Sequence, residues 1–204
     1  MIYFTHIAFG LLIAFVGLIA PGMLNMTTLK LRIETGKLAS IQFAVGASVV
    51  VLIQSGIALF FADYFVKNPQ IIEYLKRVGM VVFFILSIVF FLQTKKKFKA
   101  TKNNRKGNYF LKGMGMSSIN FLAIPYYLTV SIFLASEEKI IIEQPYLVLF
   151  ILGAAIGTFF LLCIYMAFAT FINKRISFIA KNINYILSVL FLVLGILAMY
   201  KVLV

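Results

Sequence analysis

From Phe91 to Gly113 the chain reads FLQTKKKFKATKNNRKGNYFLKG, with eight lysines and arginines (Lys95, Lys96, Lys97, Lys99, Lys102, Arg105, Lys106, Lys112) and no acid. Long apolar runs flank it on both sides. A short loop this basic stays on the cytoplasmic side of a bilayer, because lysines and arginines beside a span resist translocation. It therefore predicts the orientation of everything before and after it. It also splits the 204 residues into halves with room for three crossings each. An odd number of crossings turns the second half upside down relative to the first, the plan of many secondary transporters.

Composition supports the same solvent. Hydrophobic residues make up 63% of the chain, charged residues 12%, and the mean hydropathy is +1.04. No soluble domain of this length hides so much apolar surface, so the surrounding medium is lipid. The net charge of +13 sits between apolar runs rather than along one face, which points to juxtamembrane anchoring and not to nucleic acid. The single cysteine, Cys163, forms no intrachain disulfide and lies in an apolar run as a small packing residue. The N-terminus has no basic n-region, and Pro21 follows Ala20, so the first apolar run reads as a span and not as a signal peptide.

The expected fold is an all-α integral membrane protein with six transmembrane helices in two inverted three-helix repeats. One domain covers residues 1–204: a first repeat over about 1–94, a cytoplasmic loop over about 95–112 and a second repeat over about 113–204. The first span runs from near His6 to a break at Pro21-Gly22, roughly 22 Å along an ideal helix, with Asn25, Thr27 and Thr28 close by to partner freed backbone. The second span, residues 38–62, carries Gln54 as its one costly amide. Residues 63–77 read as a loop. The third span, residues 78–93, is nearly pure Val, Phe, Ile and Leu and reads as a lipid-facing scaffold.

The fourth span is the most polar, with Ser117, Ser118, Asn120, Pro125, Tyr126, Tyr127, Thr129 and Ser131. Pro125 stands about 18 Å from Gly113 on an ideal helix, which places a second break near the midplane. The fifth span, residues 146–172, contains the small-residue face Gly153–Gly157 and Tyr165. A loop with Asn173, Lys174, Arg175 and Lys181 precedes the sixth span, residues 184–200, marked only by Gly195. On this topology Lys30, Arg32, Lys37, the basic loop, Lys174, Arg175 and Lys181 share one side. Only Lys67, Lys76, Arg77, Lys139 and Lys201 take the other, which directs both termini outward.

The first and fourth spans occupy matching positions, and each is the one span of its half with an internal proline. Interrupted segments at corresponding positions are the sequence pointer to a substrate site. Free amides at half-helix starts attract a carboxylate, and free carbonyls at half-helix ends attract an ammonium. A zwitterion suits such a site. The candidate substrate-binding residues are Pro21, Gly22, Asn25, Gln54, Asn120, Pro125, Tyr126 and Tyr127. No Asp or Glu lies inside a span, so a metal site, a cofactor and a buried carboxylate relay are all unsupported. His6, the one histidine, reads as an interfacial residue at the outer rim. Coupling to protons would fall to Glu34, Asp63 or His6. No serine–histidine pair or paired acids are available for catalysis, so no enzyme is expected.

Pro21-Gly22-Met23-Leu24-Asn25, then Gly36, Gly46 and Gly56, form one set of motifs. Gly79, Phe110-Leu111-Lys112-Gly113 leading to Asn120, and Gly195 complete it. In this pattern the chain resembles the LysE/RhtB family of small amino-acid exporters. The resemblance implies export of amino acids or similar small metabolites across the bacterial inner membrane by alternating access, often as a homo-oligomer. Small-molecule substrate and lipid bilayer are then the partners, with no nucleic acid. Met23 replaces the family's second proline, and Phe121 stands where proline would follow Asn120. Ala47-Ser48-Val49-Val50-Val51 lacks the acid many members carry there, which speaks against a cationic substrate such as lysine. Two other readings compete: a cation exporter of a related family, and a non-transporting membrane scaffold.

Overall fold

Pro21-Gly22, Gly36 and Pro69 mark the first three helix boundaries of this chain. The computed structural model describes residues 2–94, 107–120 and 122–203, so the basic stretch from 95 to 106 lies outside the described residues. The described elements are α1 (Ile2–Leu18), α2 (Met23–Glu34), α3 (Lys37–Val66), α4 (Pro69–Gln93), α5 (Tyr109–Ser118), α6 (Ala123–Ser136), α7 (Tyr146–Ala167) and α8 (Ala169–Leu203). At Pro21-Gly22 the first span turns by 83° into α2, and α5 turns by 64° into α6. Gly36 separates α2 from α3 at φ 115°, a left-handed backbone that a side chain would strain.

Three sequence expectations change here. The loop expected over 63–77 shrinks to Lys67-Asn68, because Pro69 opens α4 at a helix start, where its missing N–H is not needed. The loop expected around Asn173–Lys181 is helical and continuous with the last span. No proline or glycine falls between Ala169 and Leu194 to end it. The second break also precedes Pro125, which sits in the first turn of α6 and not at the interruption itself.

Three stretches are long and apolar enough to cross a membrane: Lys37–Phe65, Tyr146–Ala167 and Asn182–Tyr200. Each bent pair, α1 with α2 and α5 with α6, passes the same test together, and Arg77–Gln93 is a shorter apolar helix. Large apolar side chains such as Phe60, Ile88, Phe160 and Ile186 stand on the outer surface. An outer surface of this kind is stable in lipid and not in water.

The helices meet where glycine removes the side chain. A Cβ added to Gly10 would overlap the Phe150 carbonyl, and one added to Gly153 would overlap the Ile7 carbonyl. The α3–α5 contact is built the same way: Gly46 faces the Phe110 carbonyl and Gly113 faces the Phe43 carbonyl. In each pair the backbones touch reciprocally, the close approach that small residues permit in membranes. The Gly153–Gly157 face read from the sequence packs on α1 in this way, with Gly157 against Leu11.

These contacts also give directions. Ile7 and Leu11 meet Gly153 and Gly157 in order, so α1 and α7 run parallel. Phe43 meets Gly113, while Gln54 further along reaches Ser117 and Asn120, so α3 and α5 are parallel too. Phe84 faces Gly195 and Phe90 stacks on Phe191, which makes α4 and α8 antiparallel.

Hydroxyl groups pin neighbouring helices. Ser87 Oγ donates to the Ser188 carbonyl at 2.8 Å across α4 and α8, and Ser40 Oγ donates to the Thr28 carbonyl at 2.7 Å across α3 and α2. The Thr28 carbonyl lies inside α2 and keeps its helical partner when Ser40 is removed. Ser40→Ala is therefore expected to cost only about 1 kcal/mol, read as a small drop in the thermal unfolding midpoint in detergent.

Candidate functional site

The two breaks meet at one cavity of about 280 Å³. The first supplies Gly17 through Asn25 in part, the second supplies Met116, Asn120, Ala123, Tyr126 and Tyr127, and Phe90, Gln93 and Phe191 close the α4–α8 side. The volume lies just below the roughly 300–1,000 Å³ of drug-sized ligand pockets, so it fits a small metabolite.

At the first break, Ile19 N–H still bonds to the Phe15 carbonyl at 2.8 Å, and the helix then stops. The carbonyls of Leu18, Ile19 and Ala20 lose their helical donors, since Pro21 has no N–H and the chain has turned. Side chains replace them. Asn25 Nδ2 donates to Leu18 O at 2.5 Å and to Ala20 O at 2.7 Å, and Tyr165 Oη donates to Ile19 O at 2.8 Å. One turn earlier Tyr126 Oη reaches the Ile13 carbonyl at 2.7 Å, its ring seated against Gly17, where a Cβ would collide with it.

At the second break, Asn120 N–H bonds to Ser117 O at 3.0 Å, and Ala123 N–H bonds to Asn120 O at 3.1 Å. Gln54 Nε2 spans both carbonyls from α3, at 3.3 Å to Ser117 O and 3.4 Å to Asn120 O. These are long, weak bonds. In both breaks, then, a buried carboxamide splints the interruption. Each leaves its oxygen unpartnered: Asn25 Oδ1 and Gln54 Oε1 have no hydrogen-bond partner, nor does Ser117 Oγ.

Among the described residues no acidic, basic or histidine side chain lines the cavity. Its polarity comes from amides, tyrosine hydroxyls and backbone. Of the residues singled out in the sequence, Gly22, Asn25, Asn120, Tyr126 and Tyr127 line it together. Pro21 is buried at the first break, Gln54 holds the second from outside the cavity wall, and Pro125 is half-buried in α6.

The three coupling candidates lie elsewhere. Glu34 pairs with Lys30 at 3.7 Å and Asp63 with Lys67 at 2.9 Å, each within its own helix. His6 is buried within the protein, 1% exposed. Ile141 N–H donates to its Nε2 at 2.8 Å, which leaves Nδ1 to donate to the Ile2 carbonyl at 2.7 Å, and the Tyr146 ring lies 4.9 Å away.

Several wall residues carried no signal in the sequence. Phe191 sits in an unbroken aliphatic run, and Leu86, Val89 and Phe90 sit in the span read as lipid-facing scaffold. That reading is corrected: one side of α4 faces α8 and the cavity. Ring stacking of Phe191 with Phe83 and Phe90 fixes it there.

A lipid-facing helical body with two interrupted helices around an uncharged cavity belongs to the class of membrane transporters. The chain is a member of the LysE type translocator family, whose family model it matches over residues 15–202. Members of this family are transporters of amino acids or related metabolites and not enzymes, with a small-molecule substrate and membrane lipid as partners. Searches of curated proteins and of solved structures return no match.

Proposed function

We propose that the chain is a secondary exporter of a neutral or zwitterionic amino acid, or a similarly small metabolite, working by alternating access across the inner membrane. The observation that carries this reading is the cavity shared by the two breaks. Interrupted helices facing one uncharged pocket offer fixed dipoles to a guest without burying a charge. Gly22, Asn25, Asn120, Tyr126 and Tyr127 are its proposed contacts, and Pro21, Gln54 and Pro125 shape the breaks.

The proposed frame is six crossings in two inverted repeats, with both termini outside. Three features support it. The α1–α7 and α5–α3 contacts exchange glycine and carbonyl in the same manner, and each joins the broken span of one half to the second span of the other. The parallel and antiparallel directions of the helix pairs are those that six alternating crossings require. Ser87 and Ser188, at similar places in the last helix of each half, bond to one another. Coupling stays with Glu34, Asp63 and His6, of which His6 alone is buried between two segments.

In proteoliposomes, Asn120→Leu and Pro21→Leu are each expected to abolish efflux while leaving a monodisperse, folded protein. Wild-type efflux surviving both substitutions removes the cavity as the transport site.

A further inference from the structure

The last helix is longer than a membrane is thick. α8 holds 35 residues, about 52 Å at 1.5 Å per residue, against a hydrocarbon core about 30 Å across. Its apolar span is Asn182–Tyr200. Residues 169–181 precede that span, and only Phe168 separates them from the end of α7, itself a span. On the six-crossing frame proposed above, both ends of this segment therefore lie at one face of the membrane. That face is the cytoplasmic one, where most of the lysines and arginines gather.

Among the side chains described in this segment, Ala169 and Ile172 are buried, clustered with Leu29 of α2 and Tyr165 of α7. Phe171, Lys174, Arg175 and Phe178 are exposed, the two phenylalanines by 54% and 68%. At about 100° per residue these four share an arc of roughly 100°, turned away from Ala169 and Ile172. The Arg175 guanidinium lies 5.1 Å from the centre of the Phe171 ring, a cation–π contact that keeps the charge on this arc. No acid answers it. The sequence has no Asp or Glu after Glu143, and Glu34 of the neighbouring α2 pairs with Lys30. Among the described residues neither Lys174 nor Arg175 makes an ion pair. An arc facing only acyl chains would carry no cations, and one facing only water would gain nothing from two exposed rings. Rings and cations on one arc suit the level of the lipid head groups.

Resting on that transmembrane frame, we infer that Phe171, Lys174, Arg175 and Phe178 form a docking surface for an anionic phospholipid. The lipid phosphate accepts hydrogen bonds from the guanidinium and the ammonium, and the two rings lie against the upper part of its chains. A lipid with a net negative head group is preferred to phosphatidylcholine, whose own ammonium offsets its phosphate. The inner side of the same segment seats Leu29 of α2 and Tyr165, the residue that bonds the Ile19 carbonyl at the first break. The lipid thus braces from outside the segment on which α2 rests.

The chain contains no tryptophan, so Phe178→Trp places a single reporter on this arc of the full-length protein. The variant is reconstituted in vesicles of equal parts phosphatidylglycerol and phosphatidylcholine, with bromine on the chains of one lipid or of the other. Quenching of tryptophan fluorescence then reports which lipid occupies the surface. Phosphatidylglycerol is expected to be preferred at least about fivefold, the effect of one basic residue beside an anionic surface. Adding Lys174→Gln and Arg175→Gln should bring the preference close to unity. Lys95→Gln with Lys96→Gln removes the same charge from the central basic stretch and should leave the preference as it was. Phe171→Trp, a second reporter on the arc, should give the same order. Equal quenching by the two lipids overturns the inference and leaves the transmembrane frame standing. Quenching by neither overturns it as well and gives the surface to water or to a protein partner. An equal loss of preference in the two double-glutamine variants also overturns it, since net charge and not this surface would then draw the lipid.

Discussion

Gly46→Leu is expected to leave no folded protein in detergent, and Gly46→Ala to cost about 3 kcal/mol, the upper end of ordinary overpacking. A Cβ at this position overlaps the Phe110 carbonyl and crowds Met114 N. The neighbour has no flexible side-chain end to swing away, because the obstruction is backbone. Nor does α5 have another place to sit, since Gly113 holds the Phe43 carbonyl from the other side of the same contact. Gly115 is the control: it lies in α5 as well, but a Cβ there meets nothing within 4 Å. Monodisperse yield and unfolding midpoint should separate Gly46→Leu sharply from Gly115→Leu. Similar behaviour of the two would mean that the α3–α5 contact is looser than its geometry.

Asn25→Leu is expected to produce the second large loss. It strands the carbonyls of Leu18 and Ala20 together, in a setting where an unpaired buried acceptor costs about 1–3 kcal/mol each. Tyr165→Phe strands only the Ile19 carbonyl and should cost about half as much, roughly 1–3 kcal/mol. The two groups serve neighbouring carbonyls of one turn, so the double variant need not be additive. Unfolding midpoints of the three variants in matched detergent decide the matter. A wild-type midpoint for Asn25→Leu would mean that cavity water serves these carbonyls in its place.

The sequence carried the large features of this molecule through backbone chemistry. Pro21-Gly22 announces a break because proline has no N–H to give, and the paired glycines announce close helix contacts because nothing else fits there. The residues around the two interruptions were legible for the same reason, as Asn25, Asn120, Tyr126 and Tyr127 are costly in lipid unless they face protein or a cavity. What could not be read was set by tertiary partners. Pro125 looked like the point of rupture, yet a first-turn proline is compatible with helix, and the interruption falls just before it. His6 stood out only by its place near the start of the first span, and its bond from the distant Ile141 amide follows from no spacing rule. Phe191 and the inner side of α4 have no polar label at all, and only the ring stack across α4 and α8 assigns them to the cavity. Asn25 was read as a partner for the freed backbone and serves the Leu18 and Ala20 carbonyls as such, whereas Tyr165, far along the chain, reaches the Ile19 carbonyl by no spacing rule.

The exchange of contacts between the halves has a consequence for biogenesis. α1 leaves the ribosome long before α7, yet its glycine seat is on α7, well over a hundred residues later in the chain. Until α7 is inserted, the Gly10 face rests against lipid or an insertion chaperone. The first half, synthesised alone, would hold an α1 without its seat and an α3 without α5. Severing the chain between α4 and α5 and supplying the two pieces from separate messages should yield protein only when both are made in the same cell.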